Sequence, residues 1–411
     1  MTEQLLITAG HMLLTPDAPQ VDDAAVLIDG PVIVAAGSRA TVQAQARPGY
    51  RTLSFPDATV LPGLINSHVH LAFDAGPDPV TSLHESDDTA LLTAMESRAR
   101  QLLNSGVTTA RDLGDRNGLA IRLRDDIAAG RTIGPRILAA GTPLTSHRGH
   151  CWFLGGEAQG PNQIREAVRH QARQGADVIK VMATGGGLTA DGPPIWALQF
   201  TAEELTAAVE EAHHAGLPVA AHAHGTGGIA AAIAAGVDTI EHCTWMTESG
   251  GVDLREDLVA RLLAEDIHVC PATHPNWHAF AERIGPERAH EVFSPARRMA
   301  ERGVRLIAGT DAGVPRSGFD GLASSLEFFE YIGLSRRDVI AAATTEAARA
   351  LRIDGDTGRL YPGYRADLVV LGANPLDDLK ALHDVRLVVM GGHAHSRGEN
   401  NTRRGRARPL S

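Results

Sequence analysis

The residues able to do chemistry in this chain sit at the ends of short apolar runs. Leu61-Pro-Gly-Leu-Ile-Asn-Ser-His-Val-His70 places two imidazoles two residues apart. Residues i and i+2 of a strand point to one face, so His68 and His70 can reach one metal ion. Four later apolar runs also carry polar groups at or near their ends, namely Val178-Ile-Lys180-Val-Met182, Ala221-His222-Ala-His224, Ile240-Glu-His242 and Ala308-Gly-Thr-Asp311. A single histidine at a strand end is commonly hydrogen-bonded filler, and a lone HxH is a weak signal. Lys180 resists that explanation, because an ammonium buried without a partner is costly and loses its proton. Asp311, buried after an apolar run, raises the same difficulty with opposite sign. A lysine neutralised by burial can react with carbon dioxide, and the resulting carbamate is an anionic two-oxygen ligand able to bridge two cations.

Positioning such groups at one place requires repeated strands with their ends together. Strands are expected to begin at Val60, Val107, Arg136, Asp177, Pro218, Thr239, His268 and Arg305, with helices between them over 90–103, 201–213 and 258–265. Thr201 and Glu204 form a capping box, and Gly106, Gly175, Gly216, Gly236 and Gly303 stand just before strands, where a helix must end with positive φ. Eight strand-then-helix units in about 290 residues match a (β/α)8 TIM barrel in count and length, with the strand C-termini facing one mouth. A doubly wound open sheet is the alternative, but no GxGxxG opens a first helix. A further helix over 335–350 leads out of the barrel. The β-rich runs Gln4–Thr8, Ala25–Asp29 and Pro31–Ala35 match those at Ala366–Leu371 and Val385–Met390. Residues 1–59 and 352–398 are therefore expected to form one small discontinuous β-sandwich domain around a barrel of residues 60–351, with 399–411 as a flexible tail.

Composition excludes several classes. A net charge of -11 argues against a nucleic-acid surface, since phosphate binding needs clustered Lys and Arg, and only the tail Arg403–Arg408 is basic. The three cysteines lack CxxC spacing and fit reduced thiols of a cytoplasmic protein. No basic leader with an apolar core opens the chain, and no run approaches the ~18 apolar residues of a membrane span.

Across His68-Val-His70, Ile179–Gly186, Val219–Ile229, Ile240–Cys243, Gly309–Gly313 and the closing segment Gly358–Leu371, the sequence resembles the amidohydrolase superfamily in its two-metal, carboxylated-lysine form. The resemblance implies that His68, His70 and Asp311 hold one divalent ion and His222 and His242 the other, with carboxylated Lys180 bridging them. Zinc is the leading metal, with manganese and cobalt as alternatives. His224 faces the same side as His222 and would contact substrate or support a ligand. Two cations sharing a water lower its pKa toward roughly 7; Asp311 would accept the proton and pass it to the leaving amine.

The branch resembled most is the imidazolonepropionase-like one with its prolidase-type dipeptidases and N-acyl amino acid amidases. Imidazolonepropionase itself lacks the strand-four lysine. The implied reaction is hydrolysis of an amide or peptide bond to an amino acid, the substrate a small molecule and a homo-oligomer the expected assembly. Arg148, His150, His274 and Arg316, on loops, are candidates to bind the substrate carboxylate. Gly185-Gly-Gly187 would leave space beside the metals, and Trp152, Trp196, Trp245 and Trp277 could line a pocket or pack beneath the loops. The alternatives are the same centre acting on a carbamate, urea, lactam or other non-peptide amide, and a non-catalytic barrel kept as a scaffold.

Overall fold

The computed structural model describes residues 3–395, so the tail expected at 399–411 and the end of the β-domain at 396–398 lie outside the described residues. The N-terminal strands β1 (Gln4–Met12), β2 (Val21–Asp29), β3 (Val32–Ser38) and β4 (Arg51–Pro62) precede a parallel region. That region comprises β5 (Leu64–Val69), β6 (Val107–Asp112), β7 (Arg136–Ala139), β8 (Ile179–Met182), β9 (Val219–Gly225), β10 (Thr239–Met246) and β11 (His268–Cys270). The chain closes with β12 (Leu368–Leu371), β13 (Val385–Met390) and β14 (His393–His395).

Both chain ends build one sheet, in the order β14-β13-β12-β4-β1-β2-β3. The junction is β4, parallel to β1 on one side and antiparallel to β12 on the other. Where two layers were expected, the strands are hydrogen-bonded as one continuous sheet. Period-2 alternation sorts its apolar residues to the two faces. Ile7, Val26, Ile28, Val60, Leu368 and Val370 pack on one side, and Leu6, Ala25, Leu27, Ala35 and Val42 on the other.

The middle of the chain forms two parallel sheets, β5-β6-β7 and β8-β9-β10-β11. All residues of β5, β6 and β8 are buried, as expected of parallel strands covered on both faces. Single parallel bridges join Leu144 to Val181 and Val269 to Leu306, and another joins Val69 of the first strand to Ala312 after the last run. The eighth strand expected from Arg305 is present only as such bridges. Its run is broken where Asp311 takes φ 52 and Gly309 comes against β5.

Helix punctuation follows the sequence: Gly106, Gly175, Gly216, Gly236 and Gly303 all have positive φ, and the Thr201–Glu204 capping box opens the helix Ala202–His214. The helix expected over 335–350 is two, Arg336–Ala342 and Thr345–Ala350. Among the described residues no helix is long and apolar enough to cross a membrane.

Candidate metal centre

His68, His70 and Asp311 converge. His68 Nε2 and His70 Nε2 stand 3.3 Å apart, and each lies 3.3 Å from Asp311 Oδ1. The backbone enforces this. The amides of Asp311 and His70 donate to the carbonyls of His68 and Ala312 at 2.9 and 2.7 Å, clamping the segment after Arg305 against the end of β5. Gly309 makes the approach possible, because a Cβ there would lie 2.5 Å from Cys270 Sγ and 2.8 Å from His68 Cβ. Burial opposes the charge on Asp311, but His68 and His70 outweigh it and hold its pKa well below the ordinary carboxylate value. Burial likewise opposes protonation of His70, and the bond to Asp311 overcomes it, raising that pKa. A proton therefore competes for the place a cation would take.

Behind His68 lies a pair that sequence reasoning missed. His68 Nδ1 donates to Glu241 Oε2 at 2.8 Å, which leaves Nε2 as the free donor atom. Glu241 in turn accepts from Arg111 Nη2 at 2.7 Å and Thr239 Oγ1 at 2.6 Å. Arg111 Nε donates to the Ser67 carbonyl at 2.8 Å. All of these side chains are buried. The available signal was a charge inside an apolar strand, the same one that singled out Lys180. Replacing Arg111 by methionine leaves the Glu241 carboxylate uncompensated and is expected to cost about 3–5 kcal/mol in chemical denaturation. Adding Glu241→Gln should recover part of the loss; a single-variant cost under ~1 kcal/mol would contradict the pairing.

Adjacent strand residues normally face opposite ways, yet Glu241 and His242 both reach the site. His242 and Cys243 take φ 68 and 49, and the β9–β10 register breaks after His242. Such left-handed residues are strained and cluster at functional positions. The turn brings His242 to a second group, with His222 and His224. Ring centroids are 4.6 Å apart for His222–His242, 4.5 Å for His224–His242 and 5.2 Å for His68–His242. His222 Nε2 donates to the Gly185 carbonyl at 2.9 Å, and His224 Nδ1 lies 3.0 Å from Thr244 Oγ1. Burial, then neighbouring imidazoles, keep His222 and His242 far below the ordinary histidine pKa. Burial also lowers His224 to about 4. Their lone pairs are therefore available at neutral pH.

Lys180 is 1% exposed and its Nζ has no hydrogen-bond partner among the described residues. Burial, only partly offset by Glu241 and Asp311, lowers its pKa to about 8. The charge of Lys180 is felt at His70, His222 and His242, members of both ligand groups, and the donor types in those groups, imidazole and carboxylate, suit divalent cations.

Of the loop residues, His150 is brought to the centre. Its ring lies 4.7 Å from that of His222, and Gly186 makes room for it, since a Cβ there would sit 2.4 Å from His150 Nε2. Burial lowers the His150 pKa to about 3. Arg148 is exposed, its guanidinium 5.9 Å from the centre of the Trp152 ring. Both ring nitrogens of His274 are committed, Nε2 to the Pro315 carbonyl at 3.1 Å and Nδ1 to the Asn276 amide at 3.0 Å. That geometry makes His274 a loop brace. The brace steadies Arg316, whose amide donates to Ala75 at 2.9 Å and whose carbonyl accepts from Asn276 Nδ2 at 3.2 Å. Arg316 holds φ 65 and its exposed guanidinium has no partner among the described residues. Trp245 and Trp277 are buried packing residues, whereas Trp152 is 38% exposed and Trp196 half-buried.

Comparison with known proteins bears on the family of the chain. The sequence profile described as "Amidohydrolase family" matches residues 59–394. Ochratoxinase from Aspergillus niger is 30% identical over 431 aligned positions, covering 93% of this chain and 84% of the relative. Imidazolonepropionase from Anaeromyxobacter sp. (strain K) is 26% identical, covering 88% of this chain and 87% of its own. Among solved structures, a Xaa-Pro dipeptidase with methionine bound in its active site superposes with a TM-score of 0.83 at 29% identity, covering 96% of this chain and all of the other.

Proposed function

The chain belongs to the amidohydrolase family and is a hydrolase acting on C–N bonds, and from that premise we propose that it is a two-metal enzyme cleaving an amide or peptide bond to an amino acid. The observation that carries this reading is Lys180: a buried Nζ with no hydrogen-bond partner among the described residues, whose charge is felt at His70, His222 and His242 and which is itself influenced by Asp311. The two parallel sheets are read as arcs of one (β/α)8 barrel, supported by the bridges at Val181, Leu306 and Ala312 and by the superposition on the dipeptidase.

His68, His70 and Asp311 would hold one cation and His222 and His242 the other, with the carbamate of Lys180 between them. The neutral Lys180 amine would attack the carbon of carbon dioxide, the N–C bond forming as one C=O π bond opens onto oxygen and the displaced N–H proton passing to solvent, which leaves an anionic carbamate. When bound, the two cations, zinc by donor type, supply Lewis acidity toward an amide carbonyl and acidify a water in the site. Asp311, ionised at neutral pH, takes the proton of the attacking water and returns it to the leaving amine nitrogen. His68 is held in the right tautomer by Glu241, so its Nε2 remains a ligand throughout. His150 and His224, neutral at pH 7, border the reacting carbonyl as hydrogen-bonding groups.

Arg316 is assigned to the substrate carboxylate, because its backbone is braced while its guanidinium is free. The dipeptidase relative that holds methionine supports an amino-acid product. Arg316→Gln is expected to raise KM about 10- to 100-fold for dipeptides and N-acyl amino acids, with kcat little changed, from the loss of a charged hydrogen bond. The matching amides without a free carboxylate should be unaffected. Turnover confined to substrates lacking a carboxylate would instead place the bond cut in a carbamate, urea, lactam or other non-peptide amide.

A further inference from the structure

Strand β6 contributes no ligand to the proposed centre, yet its last two residues, Arg111 and Asp112, are hydrogen-bonded to the segment that carries His68 and His70. Arg111 acts on His68 through Glu241. Asp112, fully buried, acts on the neighbourhood of His70 through backbone alone. Its Oδ2 accepts from the Leu71 amide at 2.7 Å, the residue next to His70, and its Oδ1 accepts from the Gly114 amide at 3.1 Å. The carbonyl of the same Gly114 accepts from His70 Nδ1 at 3.2 Å. One carboxylate therefore ties together the backbone that carries His70 and the carbonyl that selects its tautomer.

Two features make this a built arrangement. The β5–β6 ladder pairs Val69 with Asp112, and the Leu113 amide donates to the Val69 carbonyl at 3.0 Å, so the two strand ends are in fixed register. Gly114 has φ 156, and a Cβ there would lie 3.1 Å from Pro143 Cγ, so this turn accepts a side chain only by shifting. The neighbouring Asp115 has a different job. It accepts from the Leu119 and Ala120 amides at 3.2 and 2.6 Å, at the start of the helix Leu119–Ala128.

We propose that Asp112 is a positioning residue that sets the orientation and tautomer of His70, so that β6 holds both histidines of the first cation site, Arg111 for His68 and Asp112 for His70. The proposal rests on the metal-centre reading above. Asparagine keeps the shape of Asp112 but offers one acceptor where two amides must be satisfied, and it turns a donor toward one of them. His70 would then lose its fixed Nδ1–H and with it part of its basicity as a ligand.

The test is a cobalt(II) titration of metal-free full-length protein, read by calorimetry and by the visible absorption of the bound ion. Asp112→Asn is expected to weaken one of two binding events about 10- to 100-fold and leave the other unchanged. The same loss should persist in a His222→Asn background, where the His68 side alone is intact. Gly114→Ala, which moves the carbonyl while keeping Asp112, should reproduce it and serves if Asp112→Asn does not fold. Asp115→Asn should lower the melting temperature without changing either affinity. Equal weakening of both events, or none, in Asp112→Asn and Gly114→Ala overturns the assignment while leaving the metal centre standing. Failure of the unaltered protein to bind any cation sinks both.

Discussion

Lys180→Ala is expected to lower kcat/KM by at least about a thousand-fold, which is about 4 kcal/mol of transition-state stabilisation. The side chain is buried and makes no hydrogen bond or ion pair among the described residues, so the substitution removes none there. On the proposed reading, what it removes is the amine that would become the anionic ligand shared by the two groups. The unaltered chain also predicts a pH signature. Burial lowers the Lys180 pKa to about 8, so the neutral, reactive amine is the minor form at pH 7 and the major form above pH 8. Reactivation by metal of protein stripped at low pH, measured at a fixed concentration of dissolved carbon dioxide, should quicken about tenfold per pH unit up to about 8 and level off beyond it. Near-normal activity of Lys180→Ala, or a reactivation rate that falls with rising pH across this range, would contradict the assignment.

Asp311→Asn is the second large effect. Asparagine keeps the size of the side chain and one oxygen at the point where His68 Nε2 and His70 Nε2 meet, so cation binding should persist, though more weakly. The carboxylate's role as proton acceptor and donor is lost. Removing a positioned general base and acid costs on the order of 10²–10⁴ in rate, and kcat and kcat/KM should fall together, since the interaction is one made during the chemical step. A variant with raised KM and unchanged kcat would make Asp311 a binding group only.

The difference between what the sequence told and what it withheld follows from period and charge. His68 and His70 were legible because a strand's two-residue period places both on one face, and Lys180 because a buried cation demands a reason. The discontinuous β-domain was legible from alternating apolar runs at both ends, while its pairing as one continuous sheet depends on β4 lying between β1 and β12, a long-range choice no local pattern records. Arg111 and Glu241 carried the same signal as Lys180, a charge within an apolar strand, and were passed over because their purpose appears only when β6 and β10 are brought to His68. His242 facing the same way as Glu241 contradicts strand alternation. It depends on left-handed backbone at two non-glycine residues, which sequence does not announce. His274 read as a polar loop residue open to substrate, whereas both its nitrogens brace the loop that carries Arg316.

The central claim is that hydrolysis depends on two cations held by these residues. Metal-free protein should be titrated with zinc in bicarbonate while bound metal and hydrolysis of a dipeptide or N-acyl amino acid that the zinc-loaded protein turns over are recorded together. The account predicts no turnover at zero metal and activity that saturates as the second equivalent per chain binds. Full activity in the metal-free protein would contradict it.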